Sequence, residues 1–391
     1  MSKSQISNSL PQGSSGDSSS VRRILLVKPS SLGDVIHAFP LVSALKKSFP
    51  GATIDWLVNT EFSALVGRHP GVSRVISFPR SLWRKRGFLK AMDEMRQELR
   101  AGDYDIVLDA QGLMRSALLS RLSGGSRIIG FADAREAASF FYHERVDPFG
   151  GVSKEKDGSP RVLHAVLKNL SLWSHLSGVE PVFTSHPFEI SYEEKDNRHL
   201  SELLQSIGLS PDIPFVAIHP GAKREIKRWP SLYFSELLDL VRNKLGLNIL
   251  LLGSAGESSL LSEIATRSGP GVYLSAGDIP LDLMPLCLSR ARFFVGNDSG
   301  PLHMAVMMGT PTYSFFGSSD IRRTGPFSPE NTEHETFTDP VPCAPCGDFK
   351  TKCSHISCLV GVTPDVVFSE ILKKEFKSGS GKDPRQAGTL K

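Results

Sequence analysis

The chain has 391 residues, 40% of them hydrophobic, and 45 Lys and Arg against 41 Asp and Glu for a net charge of +4. That length suits two or three domains with sizeable cores, and the near-balance of charge argues against nucleic acid as a partner. No run reaches the roughly 18 apolar residues of a membrane span. Residues 1–20 (MSKSQISNSLPQGSSGDSSS) carry no hydrophobic stretch, so they do not read as a secretory leader. They and the tail after Phe376 have the Ser- and Gly-rich composition of disordered segments. Five cysteines, four of them clustered late, do not resemble a secreted disulfide framework, and a cytoplasmic protein is expected.

In chain order, the first half offers apolar strands at 22–28, 53–58, 74–78, 105–109 and 127–131, separated by helical patterns at 34–48, 88–101 and 112–123. Strands apolar throughout and alternating with helices predict a parallel sheet covered on both faces. Regularity fades over 145–190 apart from a helical piece near 162–177. It resumes with strands at 215–219, 247–252, 272–275, 292–296 and 311–316 and helices at 231–245, 257–267, 281–289 and 300–308. The expected fold is α/β with two successive doubly wound halves. Ligands of such sheets sit at the carboxyl ends of the strands, so the natural site is the cleft between the halves.

Neither a G-x-x-x-x-G-K-[ST] nor a G-x-G-x-x-G motif is present, which removes the usual support for P-loop and dinucleotide-binding readings. The loops after strands say more. In GNDSGPLHMA, Asp298, Ser299 and Gly300 stand where a helix begins and His303 falls on its first turn. A helix N-terminus attracts phosphate, although Asp or Ser there also serves simply as a cap. HPGAKREIKRWP places Lys227 and the Gly221-Ala222 backbone after a strand, as a diphosphate clamp or as a solvated basic loop. LGSAGE puts Glu257 where a carboxylate could accept ribose hydroxyls or favour a helix dipole. Together the three loops suit a nucleoside diphosphate. In the first half, Asp34 opens a helix after Ser30, Ser31 and Gly33, as a cap or as a general base facing those loops. Strand 105–109 runs into Asp109-Ala-Gln111 and then Arg115, and the basic segment RSLWRKRG (80–87) reads as a solvated surface loop or as a site for an anionic acceptor. The spaced pair Asp103/Asp105 precedes a buried strand and reads as a strand-entry turn.

The stretches KPSSLGDVIHAFP, PGATIDWLV, DYDIVLDAQGLMRSALL, HPGA…KRWP, GNDSGPLHMA and FFGSSD, spread over 22–366, resemble the bacterial lipopolysaccharide heptosyltransferases of glycosyltransferase family 9. DWLVNTEF, the Arg/Trp-rich segment and DAQGLMRSALLSRL with ADAREAAS are more similar to type I members than to type II. The resemblance implies a GT-B architecture of two Rossmann-like domains: 21–180 for the acceptor and 181–365 for the nucleotide sugar, then a C-terminal helix and flexible tail over 366–391. It implies an inverting, metal-independent transferase without a cofactor, moving L-glycero-D-manno-heptose from ADP-heptose to Kdo of the lipid A core. Such an enzyme is expected in the cytoplasm, peripheral on the inner membrane. By position, Asp34 would be the catalytic base. Lys227 would hold the diphosphate and Glu257 the ribose, while Asp298, Ser299, Gly300 and His303 would line the donor. Ser30, Ser31, Gly33, Arg84, Arg86, Gln111, Arg115 and Arg135 would face the acceptor. Gly221-Ala222 stands where the family often has Thr-Thr, and Ile279 where a Met often abuts the adenine. Alternatives are a type II enzyme or another family 9 transferase, a nucleotide-sugar epimerase of similar shape, or a non-catalytic sugar-nucleotide binder.

The segment CAPCGDFKTKCSHISC gathers Cys343, Cys346, Cys353 and Cys358. Its outer spacings approach those of zinc ligands, but the central gap is short. A structural metal, reduced thiols and a local disulfide all fit this pattern.

Overall fold

The computed structural model describes residues 21–378 except 80–87, 152–153, 155–157, 159–160, 183–186, 329–332, 347–352 and 354. Twelve strands are present: β1 (Arg23–Val27), β2 (Thr53–Asn59), β3 (Arg74–Phe78), β4 (Ile106–Asp109), β5 (Arg127–Phe131), β6 (Glu144–Val146), β7 (Phe215–His219), β8 (Asn248–Gly253), β9 (Val272–Ala276), β10 (Phe294–Asn297), β11 (Thr312–Phe315) and β12 (His334–Phe337). The helices are α1 (Leu32–Ile36), α2 (Phe39–Ser48), α3 (Ser63–Val66), α4 (Phe88–Arg100), α5 (Met114–Leu122), α6 (Ala165–Ser177), α7 (Glu194–Ser206), α8 (Ser231–Leu245), α9 (Ser258–Thr266), α10 (Met284–Ser289), α11 (Gly300–Met307), α12 (Ile321–Thr324), α13 (Ser357–Val360) and α14 (Pro364–Ser378).

The strands form two six-stranded sheets, ordered β3-β2-β1-β4-β5-β6 and β12-β11-β10-β7-β8-β9. Every pairing is parallel. Renumbered within its own half, the second sheet repeats the order of the first. Each order reverses once, between β1 and β4 and between β7 and β10, and such switch points are where open α/β sheets leave a crevice. The central strands are fully buried, as their unbroken apolar runs demand: Leu25, Leu26, Ile218 and Leu250 show no exposure. One apolar cluster is continuous from Ile24, Ile36 and Trp56 of the first half to Ala217, Leu252 and Met304 of the second, so the halves are packed against each other.

The helix expected over 34–48 is two helices. It breaks at His37 and Ala38, and Pro40 lies in the first turn of α2. Proline lacks an N–H and is tolerated where the helix leaves that donor unused, so Pro40 starts a second helix instead of kinking one. The reading also passes over β6, β12 and α7. The two strands are three and four residues long, too short to display a period. Helix α7 shows its pattern only as Leu200 and Leu204 buried on one face of a strongly charged segment. The Asp103/Asp105 turn is as expected: Asp105 Oδ2 accepts from the N–H groups of Arg22 and Arg23 at 2.8 and 2.9 Å, pinning the entry to β1.

Candidate active site

The loop after β1 is shaped by its own polar groups. Ser31 caps α1, and Asp34 in that helix's first turn returns the contact: its Oδ2 accepts from the Ser31 N–H at 3.0 Å and from the Ser31 hydroxyl at 2.7 Å. This is a capping box, which fixes the carboxylate at the helix entrance and leaves Oδ1 without a hydrogen bond among the described residues. The Ser30 N–H donates to Gln111 Oε1 at 3.1 Å, tying the β1 loop to the β4 loop across the first switch point. Asp109, at the end of β4, is wholly buried. It accepts from the N–H groups of Gln111 and Gly112, from the Ser116 hydroxyl and from the Tyr142 hydroxyl, at 2.8–3.0 Å. Burial pushes its carboxyl up, against those four donors. Arg115, on α5, and Arg135 are exposed. The Arg135 N–H bonds the Gly112 carbonyl at 3.0 Å, so its loop borders Gln111. Arg84 and Arg86 lie outside the described residues.

Across the cleft, Lys227 Nζ meets Asp298 Oδ2 at 2.6 Å, and His303 Nε2 lies 3.6 Å from Asp298 Oδ1. Burial acts to raise the Asp298 carboxyl, but the His303 hydrogen bond and the Lys227 charge hold it well below the usual carboxylate range. Ser299 is the residue before α11, and its hydroxyl lies 3.3 Å from His219 Nδ1. Glu257 Oε2 accepts from both the N–H and the hydroxyl of Ser254 at 2.8 Å. Its Oε1 packs where a Cβ on Gly221 would sit, so a side chain there would require the Glu257 carboxylate to shift. Burial alone would raise the Glu257 carboxyl, yet the Ser254 N–H and His219 lower it. Ala222 is buried and its carbonyl accepts from Arg228 Nε at 2.9 Å, while buried Ile279 lies in the shared core. Asn297, at the end of β10, ties the loops from below. Its Nδ2 donates to the Pro220 carbonyl at 2.8 Å and its Oδ1 accepts from the Trp229 N–H at 2.8 Å.

The two sides touch. A Cβ on Gly33 would stand 2.8 Å from the His303 ring, and a Cβ on Gly300 would collide with Leu32. Asp34 is therefore one residue from a contact with the histidine that bonds Asp298. His303 stacks edge-on to His37 at 4.3 Å between centroids, and His37 to His164 at 5.3 Å. His37, His164 and His219 are residues that the sequence reading misses. A histidine's neighbours across two domains leave no mark in local spacing, although HPGA could have pointed to His219. Lys28, 7% exposed at the end of β1, is missed as well; it stands within the quoted KPSSLGD motif.

Among the described residues no group of three or more His, Cys, Asp or Glu stands where it could hold a metal ion. All five cysteines are free thiols, and Cys358 is pushed up by burial and by Cys353, Cys343 and Cys346.

Two parallel sheets of this order with opposed switch points make up a GT-B fold. The profile of glycosyltransferase family 9 (heptosyltransferase) matches residues 92–355. Lipopolysaccharide heptosyltransferase 1 of Pseudomonas aeruginosa is 29% identical over 340 residues, 85% of this chain and 88% of that one. Among solved structures, E. coli heptosyltransferase WaaC with ADP aligns at TM-score 0.69 and 24% identity, over 90% of this chain and 99% of that one. The E. coli ADP-heptose lipopolysaccharide heptosyltransferase II aligns at TM-score 0.73 and 20% identity, over 92% and 100%. The chain belongs to glycosyltransferase family 9 and is a transferase.

Proposed function

We propose that the chain transfers L-glycero-D-manno-heptose from ADP-heptose to Kdo of the lipid A–Kdo inner core, with inversion and without a metal. The observation that carries this reading is the contact of the Asp34 loop with the His303–Asp298–Lys227 constellation. A base on one wall and a diphosphate site on the other are what attack from the face opposite the leaving group requires. The acceptor hydroxyl loses its proton to Asp34 Oδ1 as its oxygen bonds to the anomeric carbon. The bond from that carbon to the β-phosphate oxygen breaks, and ADP leaves with the electron pair. Lys227, oriented by Asp298, and the open N–H groups at the start of α11 meet the charge that develops on the diphosphate. Glu257, fixed by Ser254, faces the ribose. The type I assignment follows the 29%-identical relative, since the structural likenesses at lower identity speak for the fold alone.

No helix of the described residues is long and apolar enough to cross a membrane. We place the enzyme at the cytoplasmic face of the inner membrane as a peripheral protein, because its acceptor is a lipid. High salt is expected to release it from vesicles if basic residues make the contact, and retention would argue against that.

The test is ADP release on mixing the purified chain with ADP-heptose and Kdo–lipid A. Release only with an acceptor that already carries the first heptose would replace this reading with a type II enzyme. No release with either would point to a family 9 transferase with a different donor or acceptor.

A further inference from the structure

Lys28 Nζ donates to the Ala110 carbonyl at 2.6 Å, its one side-chain hydrogen bond among the described residues. An ammonium has three N–H donors, and a buried donor without an acceptor costs free energy. The backbone around Lys28 is fixed: its N–H bonds the Leu57 carbonyl at 3.2 Å and its carbonyl accepts from Trp56 Nε1 at 3.4 Å. The side chain therefore runs to the crevice between β1 and β4 by construction. Burial lowers the Lys28 amine from its ordinary value; the charges of Asp34 and Asp109 act to raise it, and those of Lys168 and Arg135 to lower it. Asp109 is already saturated by four donors. Lys168 is engaged with Asp133 at 2.6 Å. Asp34 has Oδ2 filled by Ser31 and Oδ1 open, and among the described residues no carboxylate lies within ion-pair distance of Lys28. Lys28, with donors uncommitted among the described residues, and Asp34, with an open carboxylate oxygen, thus stand on the chain that leaves β1 at the first switch point, and Arg135 lies on a loop that borders Gln111.

We propose that Lys28 is a substrate-contacting residue: its uncommitted N–H donors take the carboxylate of the acceptor sugar acid, so that a hydroxyl of the same sugar is presented to Asp34. This rests on the acceptor reading above. A carboxylate fits because it supplies acceptor oxygens and a negative charge where the surrounding cations have none to spare, and the donor's diphosphate is already served by Lys227 across the cleft.

The experiment compares a soluble deacylated Kdo–lipid A acceptor with the same acceptor reduced from carboxylate to primary alcohol, using wild type and K28M. Wild type is expected to lose on the order of tenfold to a hundredfold in kcat/KM on the reduced acceptor, the scale of a charge-assisted hydrogen bond. K28M is expected to lose about as much on the acidic acceptor and nothing further on the reduced one, with ADP affinity within about twofold of wild type. Equal use of both acceptors by wild type, or losses that multiply in K28M, would overturn the proposal. If K28M does not fold, the two acceptors on wild type decide alone. Failure of the acceptor reading looks different: wild type would release no ADP with either, and equal calorimetric affinities of the two acceptors would then count against Lys28.

Discussion

At the scale of single residues, the site is a set of charges whose partners fix their protonation. Asp34 is a cap and, in the proposed mechanism, also the base: Oδ2 is spent on Ser31, and Oδ1 makes no hydrogen bond among the described residues. D34N keeps an oxygen for the cap and loses the base. We expect transfer to fall by about a hundredfold to ten-thousandfold while ADP-heptose affinity is retained. Calorimetry beside an ADP-release assay checks this, and normal turnover would remove Asp34 from the chemistry. Lys227 has a second duty, since it neutralises Asp298, which is only 7% exposed. K227M should weaken ADP binding and also lower stability by about 1–3 kcal/mol, because it strips a buried carboxylate of its nearest cation. A midpoint unchanged in urea would show that His303 suffices to hold Asp298.

Between elements, the decisive feature is how closely α1 and α11 approach. Both helices begin at the cleft, and Gly300 admits Leu32 where any Cβ would collide. G300A should therefore cost about 1–3 kcal/mol and most of the transfer activity, as overpacking does. L32A in the same chain should return much of both, and a double variant no better than G300A alone would place the fault elsewhere. Such pairs explain what was legible in sequence. β1, β4, β7 and β10 declare themselves because strands buried on both faces are apolar at every position. The loops after them declare themselves because glycine, serine and charge interrupt those runs. Asp34, Lys227, Glu257 and Asp298 could be picked out for that reason alone. The meeting of Gly33 with His303 could not, since 270 residues of chain separate them and nothing local encodes the distance. The break between α1 and α2 was not read from the 34–48 pattern, and it brings His37 against His303 across the cleft. Lys28 sat in plain view within its motif, and its burial and lone partner belong to the tertiary structure.

For the molecule as a whole, the two halves are held by polar clasps as well as by the common core. Arg68 of the first half pairs with two acids of the second, Asp196 on α7 through two bonds of 2.8 and 2.9 Å and Asp282 at 2.8 Å, and within the second half Tyr192 donates to the Asp282 carbonyl at 2.8 Å. R68A should loosen this clasp, read as faster amide exchange in α7 and α10 with the sheet cores unchanged. The second clasp responds to pH. His164 Nε2 donates to the Gly325 carbonyl, 3.0 Å away, and the ring packs on His37, which packs on His303. Burial brings His164 down from 6.5 to about 4, and burial together with His303, His164 and Lys28 brings His37 well below its ordinary value. His69, buried near Ser43, also falls to about 4. These imidazoles are neutral in the folded chain, while the unfolded chain protonates them as pH drops through 6.5. The unfolded state then binds more protons, so stability declines with acidification across the window from 6.5 to about 4 and is untouched above it. Depressed carboxyls such as Glu144, lowered from 4.5 to about 2, begin to lose their contribution as pH falls through 4.5, so they overlap only the acid end of that window and leave the range from pH 7 to pH 5 to the histidines. The thermal midpoint should fall between pH 7 and pH 5. H164Q should fall less steeply, with His37 and His69 keeping part of the slope. Identical slopes in the two chains would mean that His164 already carries its proton in the folded state, and that the neutral contact between the halves is not what acid breaks.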